Sequence, residues 1–160
     1  HGFDDQGSKY DGEGNLRSWW SDEDRAAFDV LGKKLVDQFN AYEPIPGQNV
    51  NGELTLGENI GDLAGVTIGY KAYHMSLGDE EGKVIDGLTG DQRFFMGYAQ
   101  VWRSKMREDA LRARLLSDPH SPGEYRVNGI VGNVDAFYEA FDVKEGDNMY
   151  LKPEDRVKIW

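Results

Sequence analysis

The sequence predicts a mainly α-helical domain with little or no sheet. Three observations carry that prediction. Apolar residues recur at three- and four-residue spacing through several stretches, helix-start signals stand directly ahead of them, and alternating apolar and polar patterns are scarce. The length of 160 residues suits one domain, 1–160, and such a domain buries about 68–70% of its unfolded-chain surface. No repeat or low-complexity tract interrupts it.

Residues 3–20 are rich in Gly and Asp and end in Asn15-Leu16-Arg17-Ser18-Trp19-Trp20, which reads as a loop leading to an aromatic anchor. Ser21-Asp22-Glu23-Asp24 then offers a capping hydroxyl and carboxylates for the positive end of a helix dipole. Phe28, Leu31, Leu35, Val36 and Phe39 follow at helical spacing, which predicts a helix over 22–42, closed by Pro44 and Pro46. Thr55-Leu56-Gly57-Glu58 matches a capping box and opens a helix to about Leu77, with Leu63, Val66, Ile68, Tyr70 and Tyr73 as a broad apolar surface. Gly61, Gly65 and Gly69 recur on this helix. Each costs roughly 1 kcal/mol against alanine, so close packing of a neighbouring helix is expected to compensate. Thr89-Gly90-Asp91-Gln92 repeats the capping signature before an apolar helix lasting to about Met106. A short helix around Asp109–Leu116 ends at Asp118-Pro119, and a last one spans about Val134–Phe141, capped by Asn133.

Composition narrows the partners. Hydrophobic residues at 39%, charged residues at 29% and a mean hydropathy of -0.66 describe a soluble globular polypeptide. The net charge of -11, with no basic stripe, argues against nucleic acid and anionic membrane, because phosphate binding needs concentrated positive charge. Peptides stay open as partners. Cysteine is absent, so neither a disulfide nor a thiolate metal site is available.

Two short segments carry the chemistry. The chain opens with His1-Gly2-Phe3-Asp4-Asp5-Gln6-Gly7, and Gly57-Glu58-Asn59-Ile60-Gly61-Asp62 follows. An imidazole and a carboxylate both suit Zn²⁺, at bond lengths of roughly 2.0–2.2 Å. Glu58 and Asp62, four residues apart on one helix, project from the same face, so one can bind a metal while the other orients an imidazole. Taken singly, each residue has an ordinary reading. A histidine in first place is ordinarily a loose end, Glu58 can complete the capping box of Thr55, and Asp62 can be a solvated acid.

In this order the two segments resemble the neprilysin-like zinc metallopeptidases, the M13 family. Its first motif runs His-Glu-x-x-His-Gly-Phe-Asp-Asp and its second Glu-Asn-x-x-Asp. The resemblance implies the C-terminal portion of a gluzincin, thermolysin-like catalytic domain. It assigns His1 and Glu58 as zinc ligands and Asp62 as the carboxylate that holds an imidazole N–H. Asp4 and Asp5 match the acidic pair of the first motif, as candidates to buttress Arg or His side chains. No initiator Met precedes His1, so the chain reads as the C-terminal part of a longer peptidase. The first zinc histidine and the general-base glutamate of the family motif would then lie upstream.

A third segment, Asp118-Pro119-His120-Ser121-Pro122-Gly123-Glu124-Tyr125-Arg126, resembles the family's His-x-Pro-x-x-aromatic-Arg run. The resemblance implies that His120 donates to the oxyanion formed as water attacks a scissile carbonyl, and that Arg126 grips a substrate carbonyl. Prolines on either side stiffen this loop. The closing Arg156-Val157-Lys158-Ile159-Trp160 resembles the family's Cys-x-x-Trp ending with Val157 in the cysteine position, and Trp160 suits an anchor for the C-terminus. His74 has no counterpart and reads as packing or surface.

The implied activity is zinc-dependent hydrolysis of internal peptide bonds in oligopeptides. These residues supply two of three protein ligands and no base, so the isolated chain is expected to be inactive. It is also expected to expose the surface that meets the upstream part and to self-associate through it. A competing expectation from another class is a non-catalytic helical domain that binds peptides or partners. The residues directly upstream of His1 separate the two, since only the enzyme needs His-Glu there. Lack of cysteine favours a bacterial version. The compartment is left open, with the periplasm or extracellular space favoured over the cytoplasm.

Overall fold

A computed structural model describes all residues, 1–160. Six helices form the domain: α1 (Asp22–Asn40), α2 (Leu56–Leu77), α3 (Gly90–Val101), α4 (Glu108–Ser117), α5 (Gly123–Val131) and α6 (Asp135–Phe141). Single 3₁₀ turns stand at Gly7–Lys9 and Pro153–Asp155. There is no sheet, only isolated bridges such as Tyr10 with Leu16. No helix is long and apolar enough to cross a membrane.

The local signals at two helix starts hold. The Ser21 hydroxyl accepts from Asp24 N at 3.1 Å, and Asp22, Glu23 and Asp24 fill the first turn of α1. At α3, Thr89 and Gln92 exchange both bonds of a capping box. At α2 the box does not form. Thr55 has φ -97° and ψ 2°, outside the extended conformation a cap adopts, and its hydroxyl donates to the Asn51 carbonyl instead. The Glu58 side chain is thereby released from the helix terminus.

Packing sets the core. Phe28, Leu35 and Phe39 of α1 meet Ile60, Leu63 and Val66 of α2, with Phe95, Leu115, Ile130, Val131 and Val134 closing the cluster. α2 lies against α1 and α5, and α3 against α5 and α6. Two expectations about α2 fail. Gly61 and Gly65 have nothing within 4 Å of a Cβ built on them, and Ile68 is 61% exposed; only Gly69 meets a neighbour, the Phe94 ring. This face of α2 therefore carries no close-packed helix within the chain.

Other differences have local causes. α3 stops at Val101, where Trp102 turns out of the helix, rather than at Met106. α5 stands where Pro122 and Gly123 read as loop in the sequence; Pro122, in its extended conformation, is the residue that starts the helix. Asn133 does not cap α6. It is buried, donates to the Gly129 carbonyl and Gln38 Oε1, and accepts from Gln38 Nε2 and Val157 N. Val157 is fully buried, so apolar packing and this bond hold the C-terminal segment where a cysteine stands in the family ending. Trp160 lies 5.7 Å from the Phe3 ring and 5.9 Å from Trp20, tying the end of the chain to its beginning.

Candidate active site

The first loop presents one imidazole nitrogen. Asp4, buried beneath it, accepts from Gln6 N at 2.9 Å and Gly7 N at 2.7 Å through Oδ1, and its Oδ2 lies 2.6 Å from His1 Nδ1. A carboxylate already taking two N–H bonds acts on the ring as an acceptor. His1 Nδ1 therefore carries the proton toward Asp4, and the Nε2 lone pair points away. That nitrogen, Nε2, lies 3.3 Å from Glu58 Oε1.

Glu58 stands in the first turn of α2 and divides its oxygens. Oε1 faces His1; Oε2 lies 3.4 Å from His120 Nε2 and accepts from Arg126 Nη2 at 3.3 Å. One turn on, Asp62 takes the Arg126 fork with both oxygens, Nε to Oδ2 at 2.6 Å and Nη2 to Oδ1 at 2.7 Å. Asp62 and Arg126 are both buried. Burial raises the Asp62 carboxyl above its ordinary range, with Arg126 opposing. Burial lowers the Arg126 guanidinium, but Asp62 and Glu58 outweigh it and leave it above its ordinary value. The guanidinium also lies 3.8 Å over the Trp102 ring, and the Tyr98 hydroxyl donates to the Arg126 carbonyl at 2.7 Å. Nη1 of Arg126 makes no hydrogen bond.

His120 is set by two supports. Its Nδ1 lies 2.7 Å from Asp118 Oδ1, which also accepts from the His120 backbone N–H, while Arg114 Nε pairs with Asp118 Oδ2 at 2.6 Å. On the other side Ser121 donates to Asn59 Oδ1 at 2.9 Å, joining this loop to the residue after Glu58.

The fold thus gathers His1, Glu58, Asp62, His120 and Arg126 into one connected cluster. Asp62 faces Arg126 and no imidazole of this chain; the carboxylate against His1 is Asp4. His74 lies elsewhere on α2, 2.9 Å from Asp91. Reading the sequence missed Asp118, Asn59 and Trp102. The Asp-x-His spacing and the Asn after Glu58 offered a signal for the first two; nothing local marked Trp102. A cleft of about 480 Å³ lined by Met96, Trp102, Gly123 and Val127 opens beside the Arg126 helix.

The donor set fits zinc. With Nε2 and a carboxylate oxygen 3.3 Å apart, the two acceptors repel unless a proton or cation is shared by them. Ligands on one tetrahedral Zn²⁺ with bonds of roughly 2.0–2.2 Å stand about 3.3–3.6 Å apart, which matches their separation.

The profile of Peptidase family M13 matches residues 1–157. The chain is 40% identical over 163 residues to endothelin-converting enzyme 1 of Cavia porcellus, covering 100% of this chain and 21% of that protein. It is 39% identical over 160 residues to the neutral endopeptidase of Lactobacillus helveticus, of which it covers 23%. The crystal structure of Mycobacterium tuberculosis zinc metalloprotease ZMP1 in complex with inhibitor superposes with a TM-score of 0.97 at 55% identity, over 100% of this chain and 25% of that one. PEPO from Lactobacillus rhamnosis gives 0.85 at 39%, over 100% and 24%. The chain spans about a fifth to a quarter of these relatives. The fold is that of the C-terminal region of such an enzyme, and the chain belongs to peptidase family M13.

Proposed function

We propose that these residues form one side of the active site of a zinc-dependent endopeptidase acting on oligopeptides. The observation that carries the reading is the pairing of His1 Nε2 with Glu58 Oε1 at 3.3 Å, with Asp4 fixing the imidazole from behind. When bound, zinc supplies a Lewis acid for the scissile carbonyl and lowers the pKa of a water. His1 and Glu58 would hold the ion, and Asp4 fixes the neutral tautomer with its proton on Nδ1 so that Nε2 is the ligating atom. Asp62 supports the site by fixing Arg126, and it is the candidate to orient a further imidazole brought by residues outside this chain.

His120 stabilises negative charge that develops on the substrate. Asp118, 2.7 Å from Nδ1, fixes the ring from behind and leaves Nε2 as the atom available to that charge. Arg126 presents the free Nη1 to a substrate carbonyl, its other donors being anchored. A third protein ligand and a general base are assigned by resemblance to the residues ahead of His1. The aromatic edge of Phe3, Trp19 and Trp160, each about half exposed, is the surface for contact with the rest of the peptidase or with a second copy of the chain.

Glu58→Gln in the full-length protein tests the reading. Zinc content and peptide cleavage should both fall; unchanged zinc content refutes the ligand assignment. Sedimentation of the isolated chain at several concentrations tests self-association, and a monomer at all of them overturns it.

A further inference from the structure

The fold leaves little room for a side chain at Gly57, the residue directly before Glu58. A Cβ built there would stand 2.9 Å from Asp5 Oδ1 and 3.2 Å from Asp4 Oδ2. Neither carboxylate can step aside without consequence. Asp4 Oδ2 holds His1 Nδ1 at 2.6 Å, while its Oδ1 is committed to Gln6 N and Gly7 N. Asp5 Oδ2 takes Gln6 Nε2 at 2.6 Å, and its Oδ1 is buried without a hydrogen-bond partner, against the first turn of α2. Thr55 gives this turn no side-chain cap, so Asp4 and Asp5 supply the negative charge that the helix dipole favours there.

We infer that Gly57 is a positioning residue for the metal pair. Its bare Cα lets the first turn of α2 close onto Asp4 and Asp5, and that closure sets the His1 imidazole against the Glu58 carboxylate. A methyl group at 57 requires Asp4 to give by a few tenths of an ångström, and Asp4 carries the histidine with it. Gly61, one turn further on, has nothing within 4 Å and is the matched control on the same helix. The inference rests on His1 and Glu58 being the zinc ligands, as proposed above.

The test uses the full-length protein. Gly57→Ala should weaken zinc binding about tenfold in competition with a chromophoric chelator, the order of loss seen when a group supporting a metal ligand is disturbed. It should also shift the visible bands of the Co²⁺-loaded protein, which a change in stability alone would not move. Gly61→Ala should leave both as in the wild type. Asp5→Ser combined with Gly57→Ala removes the nearer oxygen, so the methyl can lean into that space and away from Asp4, and should recover affinity, which keeps the test open if the single variant folds poorly. A folded double variant without recovery overturns the inference. Glu58→Gln separates the layers. If it keeps wild-type zinc affinity, the ligand assignment falls and this inference with it. If it loses zinc while Gly57→Ala binds as tightly as the wild type, only the inference about Gly57 falls.

Discussion

The Ser121 hydroxyl donates to Asn59 Oδ1 across 62 positions of sequence, and both side chains are buried. Asn59 Nδ2 in turn donates to Thr55 Oγ1, whose proton goes to the Asn51 carbonyl. The chain of bonds runs in one direction and uses each group once, so it binds the His120 loop to the helix of Glu58 in a single register.

Asn59→Ala should therefore do more than remove one bond. It leaves the Ser121 hydroxyl without its acceptor and the Thr55 oxygen without its donor, a cost of about 1–3 kcal/mol for stranding buried polar groups. Urea unfolding should show that loss. In the full-length protein kcat for peptide cleavage should fall more than KM rises, because the role proposed for His120 is toward charge that develops in the transition state.

Arg126 is the residue whose loss the fold should tolerate least. Arg126→Ala leaves Asp62 buried and unpaired, which costs roughly 3–5 kcal/mol. Replacing both members, with Arg126→Met and Asp62→Leu, should recover most of that stability while leaving peptide cleavage abolished. Thermal melts beside activity measurements separate the two effects. A double variant as unstable as the single one would count against a buried ion pair as the cause.

Acid should loosen the His120 loop through Asp118. Desolvation pushes this carboxyl up, but bonds from His120 and the Arg114 guanidinium outweigh it and hold it below the ordinary range. A carboxylate depressed in the folded state stabilises above its unfolded pKa of about 3.9 and loses that contribution as pH falls through the lower folded value. Asp118→Asn should lower stability at neutral pH, and its difference from the wild type should shrink below about pH 4. A difference constant across that range would refute the assignment.

The 160 residues alone, supplied with zinc, should not turn over peptide substrate. They carry two assigned ligands and no assigned base for the attacking water. Measured cleavage by the pure chain would show that a base lies among residues already described.

The sequence by itself determined the helical class, the starts of α1 and α3, the family and the identity of the residues that cluster. Those features rest on period, capping residues and short motifs, which act within a few residues and need no knowledge of what packs across the chain. The tertiary structure decided the pairings. Asp62 meets Arg126 and Asp4 meets His1, because α5 lies against α2 and the first loop folds over the start of α2. Thr55 and Glu58 show the two levels in conflict. Their spacing spells a capping box, yet Thr55 is drawn into the buried bonds of Asn51 and Asn59, so the Glu58 carboxylate turns to the histidines and Arg126. Local propensity is worth about a kilocalorie per mole at such a position, and a buried polar network that must be satisfied outweighs it.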